Sequence, residues 1–314
     1  MLSPEIPAMS AILMTPDKAS RLHKTLDHLR RQTIADQLEI VLVAPKASEL
    51  EPDQVALEGF HSVQVVEMGR AFTLGEGYVA AIKQAQAPIV VMCEDHSWPA
   101  PDWAERLLAA HAQPYAAVGP ALTNANPESA LGWADLFVCF GPWVDPAPSG
   151  VLPSLAGHNT SYKRTVLLDF GDDLVSKVEP EVLLHAQLRE AGHQLFLEGE
   201  AKTAHVNFSS IRALLIKQAW AGRRYASHRS QRWPRRRCLL YFLGSPLLPF
   251  LGLRRTLKEA RRPGRYPGSP LKLVPAMLVG LTAHAFGEMA GYAFGGGDAS
   301  MRLSHFELNV SERS

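Results

Sequence analysis

The sequence is poor in cysteine, which excludes two classes of small stabilised protein. Its three cysteines, Cys93, Cys139 and Cys238, are too few and too far apart for a disulfide framework or a zinc finger. We therefore expect reduced thiols in a reducing compartment. Hydrophobic residues make up 46% of the 314 residues and charged residues 20%, which are ordinary globular values and exclude a disordered chain. The length favours a large domain with an appendage, or two domains.

The N-terminus lacks the basic stretch with which a signal peptide begins. Its first apolar run, at residues 9–14, is followed by a predicted turn at Thr15-Pro16-Asp17. We expect the protein to start in the cytoplasm.

Net charge is close to zero, but the charges are distributed unevenly. Residues 217–265 contain 14 of the 32 Lys and Arg but one of the 31 Asp and Glu, which leaves 18 bases and 30 acids elsewhere. The chain therefore combines an acidic body with a basic segment that should bind phosphate, in nucleic acid or at a membrane surface.

In the acidic body, apolar runs alternate with helical patterns. Strands are predicted at residues 9–14, 38–44, 63–68 and 89–93, and helices at residues 22–29 and 78–87. This alternation predicts an α/β fold with a mostly parallel sheet and helices on its faces. Ligands bind beyond the carboxyl ends of such strands.

Glu94, Asp95 and His96 directly follow the fourth predicted strand. Residues two apart on an extended chain point the same way, so Glu94 and His96 should share a side. An acid and an imidazole suit a divalent cation that holds phosphate oxygens and neutralises a leaving diphosphate. From these residues alone, a solvated strand end with a capping aspartate is the alternative.

Several stretches occur in an order that is itself informative: residues 10–33, 38–44, 87–111 and 156–171, followed by a helix pattern from Glu181 to Gly192 and by Ala204-His205. Together they resemble the nucleotide-sugar glycosyltransferases of the GT-A fold, specifically family 2. The third stretch is similar to the segment where the family's acidic motif ends a strand before a Pro-x-x-Trp helix start. The resemblance covers about residues 8–208 and implies a GT-A catalytic domain at residues 1–208.

The resemblance implies a metal and donor site. Glu94 and Asp95 would face the ribose and diphosphate of a nucleotide diphosphate sugar, with Asp95 counted among the catalytic residues. Glu94, His96 and His205 would hold a divalent cation, Mg²⁺ or Mn²⁺. A packed or surface histidine is the alternative at His205.

Other roles are carried over in the same way. Glu181 would be the general base of an inverting transfer, with Glu179 as its rival and an exposed helix acid as the alternative. Thr15, Arg70 and Asn159 would contact the donor, and His158 could join them. A turn is the simpler account of Gly-His-Asn at 157–159.

The sequence also departs from the family pattern. The acid expected after the second strand is replaced by Ala44-Pro45-Lys46, and the usual Arg-Asn before the donor-side helix appears as Leu74-Gly75. A G-x-G-x-x-A match at residues 75–80 indicates a dinucleotide site, but the preceding strand ends too early for one.

Residues 209–314 are predicted to form a basic and apolar helical region associated with a membrane. Residues 238–253 are 16 apolar or small residues with two prolines, shorter than the ~20 that a spanning helix needs. Basic runs flank them on both sides, which favours a re-entrant or interfacial hairpin. A second stretch, residues 271–297, contains Glu288 and would pack on protein, lie at the interface or span with a functional acid. Soluble core helices are the alternative for both.

Three functions follow from these patterns. The first is a glycosyltransferase at the cytoplasmic face of the cell membrane, peripheral or integral, acting on a sugar or lipid-linked acceptor. The second is a non-catalytic, membrane-tethered GT-A module that assists polysaccharide or envelope assembly. The third, a nucleic-acid binder, is disfavoured because apolar runs alternate with the arginines.

Overall fold

The computed structural model describes residues 5–15, 22–50 and 57–308. Its internal contacts form two compact units. The first consists of Met1–Thr123 and Ala147–His205, and the second of Asn124–Pro146 and Val206–Ser314. The predicted boundary at residue 208 stays a prediction, and the grouping of residues 124–146 with the C-terminal residues was not expected. The predicted turn residues Pro16 and Asp17 lie outside the described residues.

The described part of the first unit contains a nine-stranded sheet. Its strands are β1 (Met9–Met14), β2 (Leu38–Ala44), β3 (Ser62–Glu67), β4 (Ile89–Met92), β5 (Ser97–Pro99), β6 (Ala117–Asn124), β7 (Gly150–Val151), β8 (Ser161–Lys163) and β9 (Leu195–His205). The order is β3-β2-β1-β4-β8-β6-β9-β5, and β7 also pairs with β9.

The first four strands form the parallel half of the sheet. β1 lies between β2 and β4, and β2 also pairs with β3, all in parallel. Every residue of β1, β2 and β4 is buried, which explains why these strands are apolar except at Ser10 and Glu39. The hydroxyl of Ser10 donates a hydrogen bond to the Glu39 carboxylate. The strands predicted from the sequence are confirmed, with bounds that differ by at most one residue.

The antiparallel half determines where the last strand ends. β8 pairs with β4, and β5 and β7 pair with β9, all antiparallel. In the β5–β9 pair, Ser97 lies opposite His205. The C-terminal end of β9 is therefore next to the chain that leaves β4.

The helices follow in chain order. They are α1 (His23–Arg30), α2 (Leu74–Gln84), α3 (Trp103–His111), α4 (Ala130–Phe140), α5 (Arg164–Leu168), α6 (Leu174–Val178), α7 (Glu181–Glu190), α8 (Ile211–Ser230), α9 (Arg235–Gly244), α10 (Leu248–Ala260), α11 (Val274–Phe294) and α12 (Ala299–Leu308).

Apolar residues at helical spacing attach the helices to the sheet. Leu26 and Leu29 of α1 and Trp103 of α3 are buried in one cluster with the apolar residues of β1, β2 and β4. The predicted helix at residues 22–29 is thus confirmed, and Trp103, which begins α3 after Pro101-Asp102, is a core residue.

The two glycines of the G-x-G-x-x-A match have packing roles. A β-carbon at Gly75 would meet the side chain of Glu179, and one at Gly77 would meet Met14 and Phe72. Thr73 and Glu76 form a capping box at the start of α2. These contacts explain both glycines without a dinucleotide.

In the second unit, α4 is bonded to the C-terminal residues. Lys217 Nζ lies 3.5 Å from Asp135 Oδ2, a carboxylate that also accepts from the backbone N–H of Phe208 at 3.3 Å. The guanidinium of Arg265 donates to the carbonyl of Gly141 at 2.7 Å and to Glu259 at 2.6 Å. These long-range bonds explain why residues 124–146 belong to this unit.

Helices α8 and α11 pack backbone against backbone. β-Carbons at Gly222, Gly287 and Gly291 would overlap main-chain atoms of the opposite helix, so small residues are needed at all three positions. Within α11, Glu288 is buried and accepts a hydrogen bond from Tyr292 Oη at 2.9 Å. The Glu288 carboxyl group, which would be costly to bury in a membrane, is thus hydrogen-bonded within the protein.

One helix of the described residues, Pro270–Phe294, is long and apolar enough to cross a membrane. Of its most apolar window, 39% is buried within the protein. This is a weak indication of membrane association, because a core helix of a soluble protein has the same length and composition.

Candidate functional site

Three side chains of the first unit converge at the carboxyl end of the parallel strands. Glu94, His96 and His205 each offer one ligand atom, and these atoms lie within 4.8 Å of one another. Nε2 of His96 is 3.5 Å from one carboxylate oxygen of Glu94, and Nε2 of His205 is 3.3 Å from the other. All three residues are buried.

Sheet pairing brings these residues together. Glu94 and His96 lie in the turn between β4 and β5, and His205 ends β9, which pairs with β5. Ser97 also donates a hydrogen bond from its hydroxyl to Glu94 at 2.8 Å. The cluster is therefore held by backbone pairing and by a side-chain bond.

Asp95 contacts the other nitrogen of His96. Its carboxylate oxygen lies 2.7 Å from His96 Nδ1, and its side chain is 5% exposed. A carboxylate on one ring nitrogen fixes the imidazole so that the other nitrogen faces the position of a metal ion. Asp95 thus orients His96; its predicted catalytic role stays a prediction.

The cluster favours an ionised carboxylate. Burial acts to raise the pKa of Glu94, but electrostatic interactions with His158, His96 and His205 outweigh it and hold the pKa well below its usual value. Glu94 is therefore negatively charged near neutral pH.

The described residues fit a divalent cation. One carboxylate and two imidazoles with inward-facing Nε2 atoms are within reach of a single ion, and the second nitrogen of His96 is already bound by Asp95. Two imidazoles favour a transition-metal ion over Mg²⁺, which prefers oxygen ligands.

His158 connects this cluster to Glu181. Its Nδ1 is 3.2 Å from Glu94 Oε1 and its Nε2 is 3.9 Å from Glu181 Oε1. The side chains of His158 and Glu181 are 22% and 17% exposed, more than that of Glu94 at 8%. Glu181 is therefore more accessible to solvent than Glu94.

The two candidate bases have different surroundings. Glu179 is buried and accepts a hydrogen bond from the backbone N–H of Gly75, in the first turn of α2. Glu181 begins α7 and lies against Gly157. The Glu179 carboxylate is thus bonded to the first turn of α2, while Glu181 stands at the N-terminus of its own helix. The assignment of Glu181 as the general base stays a prediction.

The predicted donor contacts are spread more widely. Thr15 is buried directly after β1, and its N–H donates to Val43 O at 3.0 Å. Arg70 is bound to Glu76 at 2.6 Å on the surface. The assignments of Thr15, Arg70 and Asn159 as donor contacts stay predictions.

Asn159 has an unusual backbone conformation. Its φ is 59°, in the left-handed region, and its N–H donates to Met92 O at 2.7 Å. Its side-chain nitrogen is buried with no hydrogen-bond partner among the described residues. A donor sugar or phosphate oxygen would satisfy it.

Sequence reasoning missed two residues next to the site. The hydroxyl of Tyr78, in α2, lies 3.5 Å from the carbonyl oxygen of Cys93. Its pKa is raised well above the usual value, first by burial and then by the charges of Glu94 and Glu181. Gly157 makes room for Glu181. The only signal for Gly157 was its place in the Gly-His-Asn loop, and Tyr78 had none.

The protein-family model described as glycosyl transferase family 2 matches residues 10–171, more than half of the chain. Curated proteins give no match.

Two solved structures are similar to this chain. The first is GalNAc-T7 with UDP, GalNAc and Mn²⁺, at 13% identity and a TM-score of 0.48, covering 64% of this chain and 44% of that one. The second is S. aureus TarS 1–349 in complex with UDP, at 12% identity and a TM-score of 0.45, covering 90% of each. The chain thus spans less than half the length of the GalNAc-T7 chain.

Proposed function

Because the chain belongs to glycosyl transferase family 2, we propose that it transfers a sugar from a nucleotide diphosphate donor to an acceptor hydroxyl. The observation that carries this proposal is the convergence of Glu94, His96 and His205 at the carboxyl end of the parallel strands. This is the edge of the sheet where α/β proteins bind ligands.

A divalent cation at this cluster would neutralise the diphosphate as the glycosyl bond breaks. Glu94 and the two histidines would hold it, and Asp95 would keep the His96 ring in place through the 2.7 Å contact. Of the two expected ions, the two imidazoles support Mn²⁺ over Mg²⁺.

Glu181 would accept the proton of the acceptor hydroxyl. It is partly exposed, and His158 separates it from the buried Glu94. A base placed apart from the diphosphate suits a single displacement in which the hydroxyl attacks the anomeric carbon from the face opposite the leaving group. The transfer would then invert the anomeric configuration.

The acceptor would be lipid-linked or close to a membrane. The basic segment, residues 217–265, attracts anionic lipid at about 1 kcal/mol per Lys or Arg near a bilayer surface. We place the protein at the cytoplasmic face of the cell membrane, attached through its C-terminal region.

The test is donor binding. Calorimetry with a panel of nucleotide diphosphate sugars, with and without Mn²⁺, should identify a donor whose binding needs the metal. Glu94→Gln and His205→Gln should weaken that binding about tenfold or more, since each removes a ligand. Glu105→Gln, at an exposed acid of α3, is the control and should bind like the wild type. Metal-independent binding, or full binding by both site variants, would contradict the proposal.

A further inference from the structure

The second unit exposes a cluster of large apolar side chains on α9, α10 and the turn between them. Six residues within 13 positions are between 57% and 68% exposed: Leu239, Leu240, Leu243, Leu247, Phe250 and Leu251. We call them the apolar face. Scattered single apolar residues are normal on a protein surface, but a dense group of this kind indicates an interaction site.

Helical geometry gathers the members of the apolar face. In α9, Leu243 is three and four residues from Leu240 and Leu239, so the three share one side. The 3-10 segment Ser245–Leu247 continues the helical path of α9 into α10, because the residues at both junctions have right-handed helical backbone angles. The two helices therefore do not form the hairpin expected from the sequence. Leu247 is four residues from Leu243 and three and four from Phe250 and Leu251, so the face continues from α9 into α10.

The opposite side of α9 and α10 already has its contacts. Pro249, Thr256 and Ser245 are buried, and Ser245 donates from its hydroxyl to the carbonyl of Tyr241 at 2.8 Å. A β-carbon at Gly252 would lie 2.8 Å from Leu281 of α11, so α10 packs closely on α11 there. The unit thus buries one side of the two helices and leaves the apolar side exposed.

Exposed arginines border the apolar face at both ends. Arg235, Arg236 and Arg237 precede it in α9, and Arg254 and Arg255 follow it in α10. No acid occurs between residues 217 and 258. An apolar centre with a cationic border complements the acyl chains and headgroups of an anionic bilayer. A second copy of this chain would instead bring the arginines of both copies together.

We propose that the apolar face inserts into one leaflet of an anionic lipid bilayer, as an element that lies in the membrane surface without crossing it. The six apolar side chains enter the headgroup–acyl boundary, roughly 5–10 Å deep. The arginines contact phosphate groups and keep the helix axes parallel to the surface. This inference rests on the membrane location proposed above and specifies the surface and the lipid.

The test is vesicle co-sedimentation of the full-length protein. Vesicles of phosphatidylcholine alone are compared with vesicles that also contain phosphatidylglycerol. The wild type should bind the second kind, and binding should weaken as salt is raised because the arginine contribution is screened. The double variant Leu243→Glu, Leu247→Glu should lose at least about tenfold in apparent affinity.

A matched control separates the apolar face from a change in net charge. Val151→Glu, Ile211→Glu also adds two acids at exposed apolar positions, at residues outside α9 and α10, and should bind like the wild type. Circular dichroism and thermal melting establish that both double variants are folded.

Three results would overturn the proposal. One is undiminished vesicle binding by the Leu243→Glu, Leu247→Glu variant, and another is no vesicle binding by the wild type. The third is a dimer in sedimentation velocity that this variant dissociates, which would assign the face to a second copy. None of these results depends on donor binding, so a failure of this inference is distinguishable from a failure of the proposed transfer.

Discussion

The α-carbon of Gly157 lies directly against the carboxyl group of Glu181. A β-carbon at position 157 would be 2.5 Å from Cδ and 2.8 Å from Oε1 of Glu181, closer than unbonded atoms approach. The site can therefore keep this carboxylate in place only because residue 157 has no side chain.

The first prediction concerns this contact. Gly157→Ala should lower turnover by about 100-fold, because a misplaced general base loses most of its contribution. The free energy of unfolding should change little, since the added methyl group meets the movable end of the Glu181 side chain and no backbone atoms. Steady-state kinetics and thermal melting measure the two effects.

Gly150→Ala is the matched control for Gly157→Ala. A β-carbon at Gly150 would meet nothing within 4 Å, so this variant should keep full turnover. Wild-type turnover in Gly157→Ala would show that the position of Glu181 is not critical.

The second prediction tests the base itself. Glu181→Gln should reduce kcat by about 10²–10⁴-fold, the usual contribution of a general base, while the dissociation constant of the donor stays near the wild-type value. Glu190→Gln, at an exposed acid of the same helix, should be indistinguishable from the wild type. Equal kcat in Glu181→Gln and the wild type would exclude Glu181 as the base.

The third prediction concerns the division of the chain. A fragment of residues 1–208 should aggregate, because it keeps α4 but loses Lys217, the cationic partner of the buried Asp135. It would also expose Leu136 and Phe137, which are buried in the full chain. Size-exclusion chromatography and circular dichroism give the result.

A second fragment serves as the control for this truncation. It comprises residues 1–205, with residues 124–146 replaced by a Gly/Ser linker of equal length. This fragment should be monomeric and folded, since the first unit ends at Thr123 and resumes at Ala147. A soluble, folded 1–208 fragment would show that residues 124–146 do not need the C-terminal residues.

The fourth prediction is a pH dependence of stability. The His185 ring is fully buried, its Nε2 lies 2.8 Å from Tyr162 Oη, and burial lowers its pKa from 6.5 to about 3. In the unfolded chain His185 binds a proton below pH 6.5, whereas in the folded chain it binds one only below about pH 3. This contribution to stability is therefore complete above pH 6.5 and decreases as the pH falls from there toward 3.

Denaturant unfolding at a series of pH values measures this loss. In the window between the two pKa values, His185 should contribute a decrease of about 1.4 kcal/mol per pH unit. His185→Gln should remove this part of the slope, whatever its effect on absolute stability. His111, whose pKa is lowered to about 4, adds a slope of the same sign that remains in the variant. Identical slopes in wild type and variant would contradict the assignment.

Local sequence pattern was sufficient where burial is continuous. β1 and β2 have the predicted bounds because every residue in them is buried, so their apolar runs end where the strands end. The family match confirms the resemblance to family 2, and the mixed sheet with its parallel half and helical C-terminal region confirms the GT-A fold class. Glu94 and His96 do converge on one site, but they lie in the turn between β4 and β5, so the two-residue period of extended chain was not the reason.

Long-range contacts could not be obtained in this way. Glu179 and Glu181 flank one proline and have similar local sequence. Their surroundings differ through residues distant in the chain: Gly75 for Glu179, and Gly157 and His158 for Glu181. The grouping of residues 124–146 depends on bonds across more than 70 residues, such as Asp135 to Phe208. Neither relationship has a periodic or compositional signal.

If Glu94, His96 and His205 bind a cation that holds the donor diphosphate, a crystal grown with Mn²⁺ and a nucleoside diphosphate will contain that ion. Anomalous scattering at the manganese edge should then show one strong peak about 2.0–2.3 Å from a Glu94 oxygen and from Nε2 of both histidines, bridged to diphosphate oxygens. An unoccupied cluster, with the nucleotide bound elsewhere or bound without metal, would contradict it.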